Sequence, residues 1–123
     1  KAADSAELRR FGEQLDVAFA RVMDVVREFQ CAADRRYAGT ALANAHVFLE
    51  MTGHVVVAWV WLRQALVAAA NLAGAGARDG DFYRGKLQAC SYFFRWELPK
   101  TEHWHRLLSE SDPTCEDMQD NWF

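Results

Sequence analysis

Only two prolines, Pro99 and Pro113, and seven glycines occur in 123 residues, so there are few places where a helix must stop. No polar–apolar alternation runs long enough for a strand, which excludes a sheet and leaves an all-α class. An excess of one charge is also missing. Seventeen acidic against fourteen basic residues give a net charge of −3 and a pI near 5.8. The arginines are scattered among carboxylates, so no basic stripe points to nucleic acid or an anionic membrane. Cysteine is scarce: Cys31, Cys90 and Cys115 form an odd set without a CxxC pair. That excludes a disulfide framework and makes a reduced, cytoplasmic protein the simplest reading. The opening KAADSAELRR carries neither an initiator Met nor a secretory pattern. Lys1 therefore reads as a cut point, and residues 1–123 as a single domain of a longer protein.

What is present is apolar surface at helical period. Apolar residues make up 51% and charged residues 25%, the balance of a soluble globular domain large enough for its own core. A first helix is expected from about Asp4 to Arg36, with Asp4 and Glu7 resembling a capping box. Leu8, Leu15, Val22 and Phe29 recur every seven residues, with Phe11, Phe19, Val26 and Ala33 between them. A second helix is expected from about Thr40 to Leu72. Its stretch VVVAWVWLRQALVAAANLA is apolar in nearly every direction. It has the roughly 20 residues needed to cross a bilayer, but Arg63 and Gln64 lie at its centre and no basic flank orients it. A helix buried on most sides in a bundle, or at an oligomer interface, is the expectation.

The glycines of GAGARDGD then read as a connector, with Asp79 or Asp81 available to cap the next helix. A third helix from about Asp81 places Tyr83, Leu87, Cys90, Phe94 and Leu98 on one face. Pro99 should kink it, or end it and start another that runs to Ser109. The result is an up-and-down bundle of three long helices, effectively four if the third splits at Pro99. Thr114 and Asp117 suggest a short closing helical turn, and Trp122 and Phe123 are expected to dock.

Candidate chemistry is thin. His46, Glu50 and His54 stack four residues apart on one helix stripe. His46 and His54 are two turns, roughly 12 Å, apart and cannot share one ion with Glu50 in a straight helix. One adjacent pair with Glu50 could join a site completed by another helix; the plainer expectation is an ordinary helix-face hydrogen bond between His46 and Glu50. Glu102-x-x-His105 is one half of a di-iron motif that needs two, and His103, Trp104 and His105 read as rim or interface. The cysteines have no adjacent base and read as small buried hydrophobes, and Ser91, Ser109 and Ser111 lack a GxSxG context. Asp79/Asp81 and Glu116/Asp117 fall where caps and first-turn charges belong. Trp59 and Trp61 flank Val60 and point apart, and Tyr92, Phe93, Phe94 and Trp96 read as core or interface. No catalytic, cofactor-binding or metal-binding residue is assigned.

FLEMTGHVVVAWVWLRQA, then DFYRGKLQACSYFFRWELPK, then the closing Met118 to Trp122-Phe123 together resemble a C-terminal helical domain. That domain is appended to a subgroup of acyl-CoA dehydrogenases similar to 3-methylmercaptopropionyl-CoA dehydrogenase. The likeness covers about residues 40–123; the first helix matches in position more than in motif. It implies a parent flavoenzyme that uses FAD to oxidise an acyl-CoA to the 2-enoyl-CoA and passes electrons to an electron-transfer flavoprotein. None of that machinery maps here, and Glu50 and Glu97 lie in no matching motif. The implied role is packing, subunit contact in a homo-oligomer, or cover for the active site. The alternatives are a free-standing adaptor or dimerisation module, or a metal-binding bundle.

Overall fold

The computed structural model describes residues 2–31 and 35–123, with side chains at 5–30, 39–76 and 79–123. The described residues are mostly helical, with no strand among them. Helix α1 spans Ala2–Cys31, α2 Arg35–Ala43, α3 Ala45–Leu72, α4 Ala77–Tyr92 and α5 Lys100–Ser109. A π-helical turn, Phe93–Glu97, lies between α4 and α5, and a single 3₁₀ turn, Asp120–Trp122, follows near residue 123.

Helix α1 is amphipathic, and its buried positions set the register. Leu8, Phe11, Ala18, Val22 and Val25 are buried, with Leu15 and Phe29 packed beside them. The spacing alternates three and four, a seven-residue repeat. Ala18 and Val25 therefore take the inward places expected of Phe19 and Val26, and Phe19 is 57% exposed. Of the remaining first-helix expectations, Ala33 and the Asp4 cap lie outside the described residues and side chains. Glu7 instead reaches Arg95, with 2.6 Å between Oε1 and Nη2.

The second expected helix is two helices. Asn44 leaves the helical well (φ −98°, ψ 5°) between α2 and α3. It is buried, and its carbonyl accepts from the N–H groups of Val47 and Phe48. Its side-chain amide donates to the Asp112 carbonyl at 2.8 Å, so the break is held by a partner 68 residues away. From there α3 runs unbroken as the central element, touching α1, α4, α5 and the π-helical turn. Val47, Met51, Val55, Ala58, Ala65 and Ala68 form its buried stripe. The alanines let neighbouring helices approach closely, while Met51 fills the space one turn away.

Helix α4 begins four residues earlier than expected. Gly76 is extended (φ −64°, ψ 170°) and its carbonyl accepts from Gly80 at 2.8 Å, so Gly80 belongs to the first turn. Neither Asp79 nor Asp81 caps it; Asp81 pairs with Arg84 one turn on. Past Tyr92 the helix widens by one residue per turn. The Leu98 N–H bonds the Phe93 carbonyl at 2.9 Å, and Cys90, Phe94 and Leu98 all stay buried at a spacing of four. Pro99 (φ −61°) then lies one residue ahead of α5, where its missing N–H costs nothing. Thr101 is fully buried, its hydroxyl donating to the Leu98 carbonyl at 2.6 Å.

The closing segment differs from expectation in two ways. Asp112 Oδ1, rather than Thr114, provides the side-chain bond of the turn, accepting from the Thr114 N–H at 3.1 Å. The Thr114 hydroxyl and N–H hold the Asp112 carboxyl below the usual carboxylate range. Trp122 and Phe123 are 64% and 94% exposed, so these aromatics do not dock on their own chain.

Candidate functional site: an open apolar face and a polar cluster

The buried stripe of α3 has an opposite number. Leu49, Gly53, Val56, Val60, Arg63, Val67 and Ala70 repeat at alternating spacings of four and three along the far side, and all are exposed. Trp59 and Leu66 widen this face on one side and Val57 on the other. A helix apolar on both sides explains the all-round hydrophobicity read from the sequence, but only one side is used inside the fold. Among the described residues α3 is also the one helix long and apolar enough, by length and composition, to cross a membrane. Arg63 sits in the middle of the open face, where a bilayer would charge most for it.

Grooves flank the face. Towards α1, one of about 360 Å³ is lined by Leu15, Phe19, Val55, Val56 and Trp59. Another of about 570 Å³ lies nearer the end of α3, between Leu8 and Arg9 on one side and Leu66 and Leu72 on the other. Towards α4, a groove of about 510 Å³ has Val60 and Val67 as floor, Phe82 and Tyr83 as wall, and Arg63 and Lys86 at its margin. Both cations lie against aromatic rings: Arg63 is 5.0 Å from the Trp59 centroid, and Lys86 is 5.4 Å from that of Trp61 and 5.5 Å from that of Phe82. Trp59 and Trp61 thus serve two sides of the helix, as their spacing suggested.

A polar cluster lies on the other flank, built around the π-helical turn. Glu97 Oε2 is 2.6 Å from Lys100 Nζ and 3.4 Å from His54 Nε2, and the Tyr92 hydroxyl donates to its Oε1 at 3.5 Å. The Lys100 ammonium, aided by His54, holds the Glu97 carboxyl below the usual range. The His54 ring meets Trp104 edge-on at 4.7 Å, and its Nδ1 is 3.0 Å from the Glu50 carbonyl and 3.9 Å from the Glu50 carboxylate. Of the three residues on the HVFLEMTGH stripe, Glu50 and His54 come together and His46 does not join them. The partner that sequence reasoning missed is Glu97, 43 residues away, and no local pattern announces it.

The remaining candidates separate. Glu102 pairs with Arg21 at 3.3 Å, His105 Nε2 is 3.3 Å from the Ser109 hydroxyl, and Arg106 donates to His103 Nδ1 at 3.0 Å. No group of three or more His, Cys, Asp or Glu with metal-ligand geometry occurs among the described residues. Phe94 is core and Phe93 packs against it, whereas Tyr92 and Trp96 stack on each other at the surface. Cys90 is fully buried, and burial, with the Glu7 carboxylate adding, pushes its thiol up to about 11. Cys115 is exposed, against the expectation of a buried thiol, and Cys31 lies outside the described side chains. In an Ellman titration at pH 8, Cys115 should react at once and Cys90 only on unfolding. Rapid labelling of Cys90 in the native protein would contradict its placement.

The class defined by these observations is an all-helical domain whose central helix leaves one apolar side open. The chain belongs to the acetyl-CoA dehydrogenase C-terminal-like family, whose model matches residues 1–119. The match takes in the first helix, where the resemblance by motif was weakest. No curated protein and no solved structure matches the chain.

Proposed function

We propose that these residues form an accessory helical domain of a longer FAD-dependent acyl-CoA dehydrogenase in the 3-methylmercaptopropionyl-CoA-like subgroup, an enzyme of the cytoplasm. The helices are read as an up-and-down bundle turned at Pro99. The observation that supports a docking role is the open face of α3: a long apolar strip, interrupted by Arg63, is expected to be covered by protein. Its cover would be the remaining domains of the dehydrogenase, and the role packing, subunit contact or closure over the acyl site. A membrane is disfavoured by Arg63 at mid-face and by the contacts α3 makes with four other helices.

The residues here do not fit a flavin. The grooves beside α3 are open clefts with apolar floors, and the polar cluster at Glu97 is already paired within the chain. FAD, the catalytic base and the acyl-CoA pocket would therefore sit on other domains, with an electron-transfer flavoprotein as the oxidant. The chain itself would hold no catalytic residue.

In the complete polypeptide, Val56→Asp with Val60→Asp should leave the helical content of this domain intact. It should lower the thermal midpoint or subunit association of the enzyme, because a carboxylate on a covered face is left unpaired at a cost of about 1–3 kcal/mol or more. An unchanged enzyme would show that this face stays open. A visible spectrum that bleaches on anaerobic addition of an acyl-CoA tests the parent activity, and a colourless protein that takes up no FAD would sink it.

A further inference from the structure

The α3–α4 groove and the end of the chain have opposite characters. The groove is apolar with Arg63 and Lys86 at its margin, and neither cation forms an ion pair among the described residues. Residues 110–123 hold five carboxylates, Glu110, Asp112, Glu116, Asp117 and Asp120, and no Lys or Arg. The last of them stand beside exposed Met118, Trp122 and Phe123. We propose that residues 117–123 of one copy dock in the α3–α4 groove of a second copy, so that two chains exchange their acidic, aromatic ends in a two-fold dimer.

One observation favours exchange over self-docking, and two more agree with the docking itself. The base of the segment is tied to the start of α3. Asn44 holds the Asp112 carbonyl, and the Thr40 hydroxyl donates to the Glu116 carboxylate. From Glu116, six residues reach Trp122, at most about 20 Å of extended chain. The groove residues Val60 to Val67 lie roughly 24 to 35 Å along α3 from Asn44. A chain cannot fill its own groove while that anchor holds, but a second copy with α3 running antiparallel brings each end over the other's groove. Charge agrees in sign: the segment carries Asp117 and Asp120, and the groove has Arg63 and Lys86 at its margin. Size agrees as well. Each Trp or Phe ring buries roughly 150–250 Å² when covered, so four rings supply a large part of the about 1,600 Å² of a standard interface.

This inference names the partner in the subunit-contact role proposed above and rests on that part of it alone. It can be read on the 123-residue chain by sedimentation equilibrium, without flavin or acyl-CoA, so its failure is distinct from failure of the dehydrogenase reading. The wild-type chain should dimerise. Arg63→Glu with Lys86→Glu in one variant, and Asp117→Lys with Asp120→Lys in another, should each weaken self-association at least about tenfold, since like charges then face each other. Mixed in equal amounts, the two variants should form a heterodimer, because each end again meets a groove of opposite sign. Trp122→Ala with Phe123→Ala should also weaken the dimer, and keeps the test open should the groove variant misfold by circular dichroism. Several results would overturn the proposal: a wild-type chain that is monomeric at its solubility limit, a dimer indifferent to these changes, or reversal variants that do not recombine. Loss of assembly in the complete enzyme without loss of the chain's own dimer on Trp122→Ala would assign the segment to another domain instead.

Discussion

Replacing Phe94 by Ala is expected to destabilise the fold by about 3–5 kcal/mol, the usual cost of deleting a large buried ring. Phe94 is 2% exposed, and its ring stacks on that of Phe11 with centroids 4.5 Å apart and planes 19° from parallel. It joins α1 to the π-helical turn, so its loss opens a cavity where two segments meet. A domain of this size holds about 5–15 kcal/mol in total, so the variant should melt at least roughly 10 °C lower. Trp96, two residues on, is 68% exposed, and its replacement by Ala should cost under about 1 kcal/mol. Urea unfolding of both variants checks the pair. Equal losses would mean that the π-helical turn does not aim Phe94 inward.

The second large effect separates the two sides of α3. Met51 is fully buried on the inner stripe, whereas Leu49, two residues earlier, is 69% exposed on the outer one. Met51→Ala should cost about 2–5 kcal/mol through lost burial and a residual cavity. Leu49→Ala should fall within about 0.5 kcal/mol of wild type in the isolated chain, with the better helix propensity of Ala offsetting what little packing is lost. Both residues are apolar and lie in one unbroken helix, so only the orientation of α3 distinguishes them. Equal costs in the isolated chain would overturn that orientation. In the dimer or the complete enzyme, a cost that appears at Leu49 would report that the outer stripe has been covered.

The elements themselves were largely legible in the sequence. Heptad spacing marked α1, the Cys90–Phe94–Leu98 face marked α4, and Pro99 marked the start of a helix that does end at Ser109. What escaped were features settled by distant partners. Nothing local distinguishes Asn44 from a polar residue on a continuous helix; its carbonyl and amide act as a break because the Asp112 carbonyl comes to meet it. Gly80 read as loop because glycine weakens helices, yet one glycine is tolerated in a first turn closed by Gly76. The one-residue rotation that buries Ala18 in place of Phe19 was hidden because both stripes of α1 carry apolar side chains. The His54–Glu97 contact joins residues far apart in sequence, and so did not show as a motif. The all-round apolarity of α3 was plain, but a period cannot say which side of a doubly apolar helix faces inward.

The π-helical turn makes the helix that contains it one residue longer than its phase requires. In an ordinary helix two successive steps of four advance the side-chain direction by about 80°, which would swing Leu98 off the side shared by Cys90 and Phe94. The wider turn absorbs that advance. A chain shortened by one residue between Phe94 and Glu97 could therefore relax to an ordinary helix and still deliver Leu98, Thr101 and Leu108 to the same side. The same deletion in α1 or α3 would turn everything beyond it by about 100°. Among the helices, length variation has its natural home in the turn that carries Glu97.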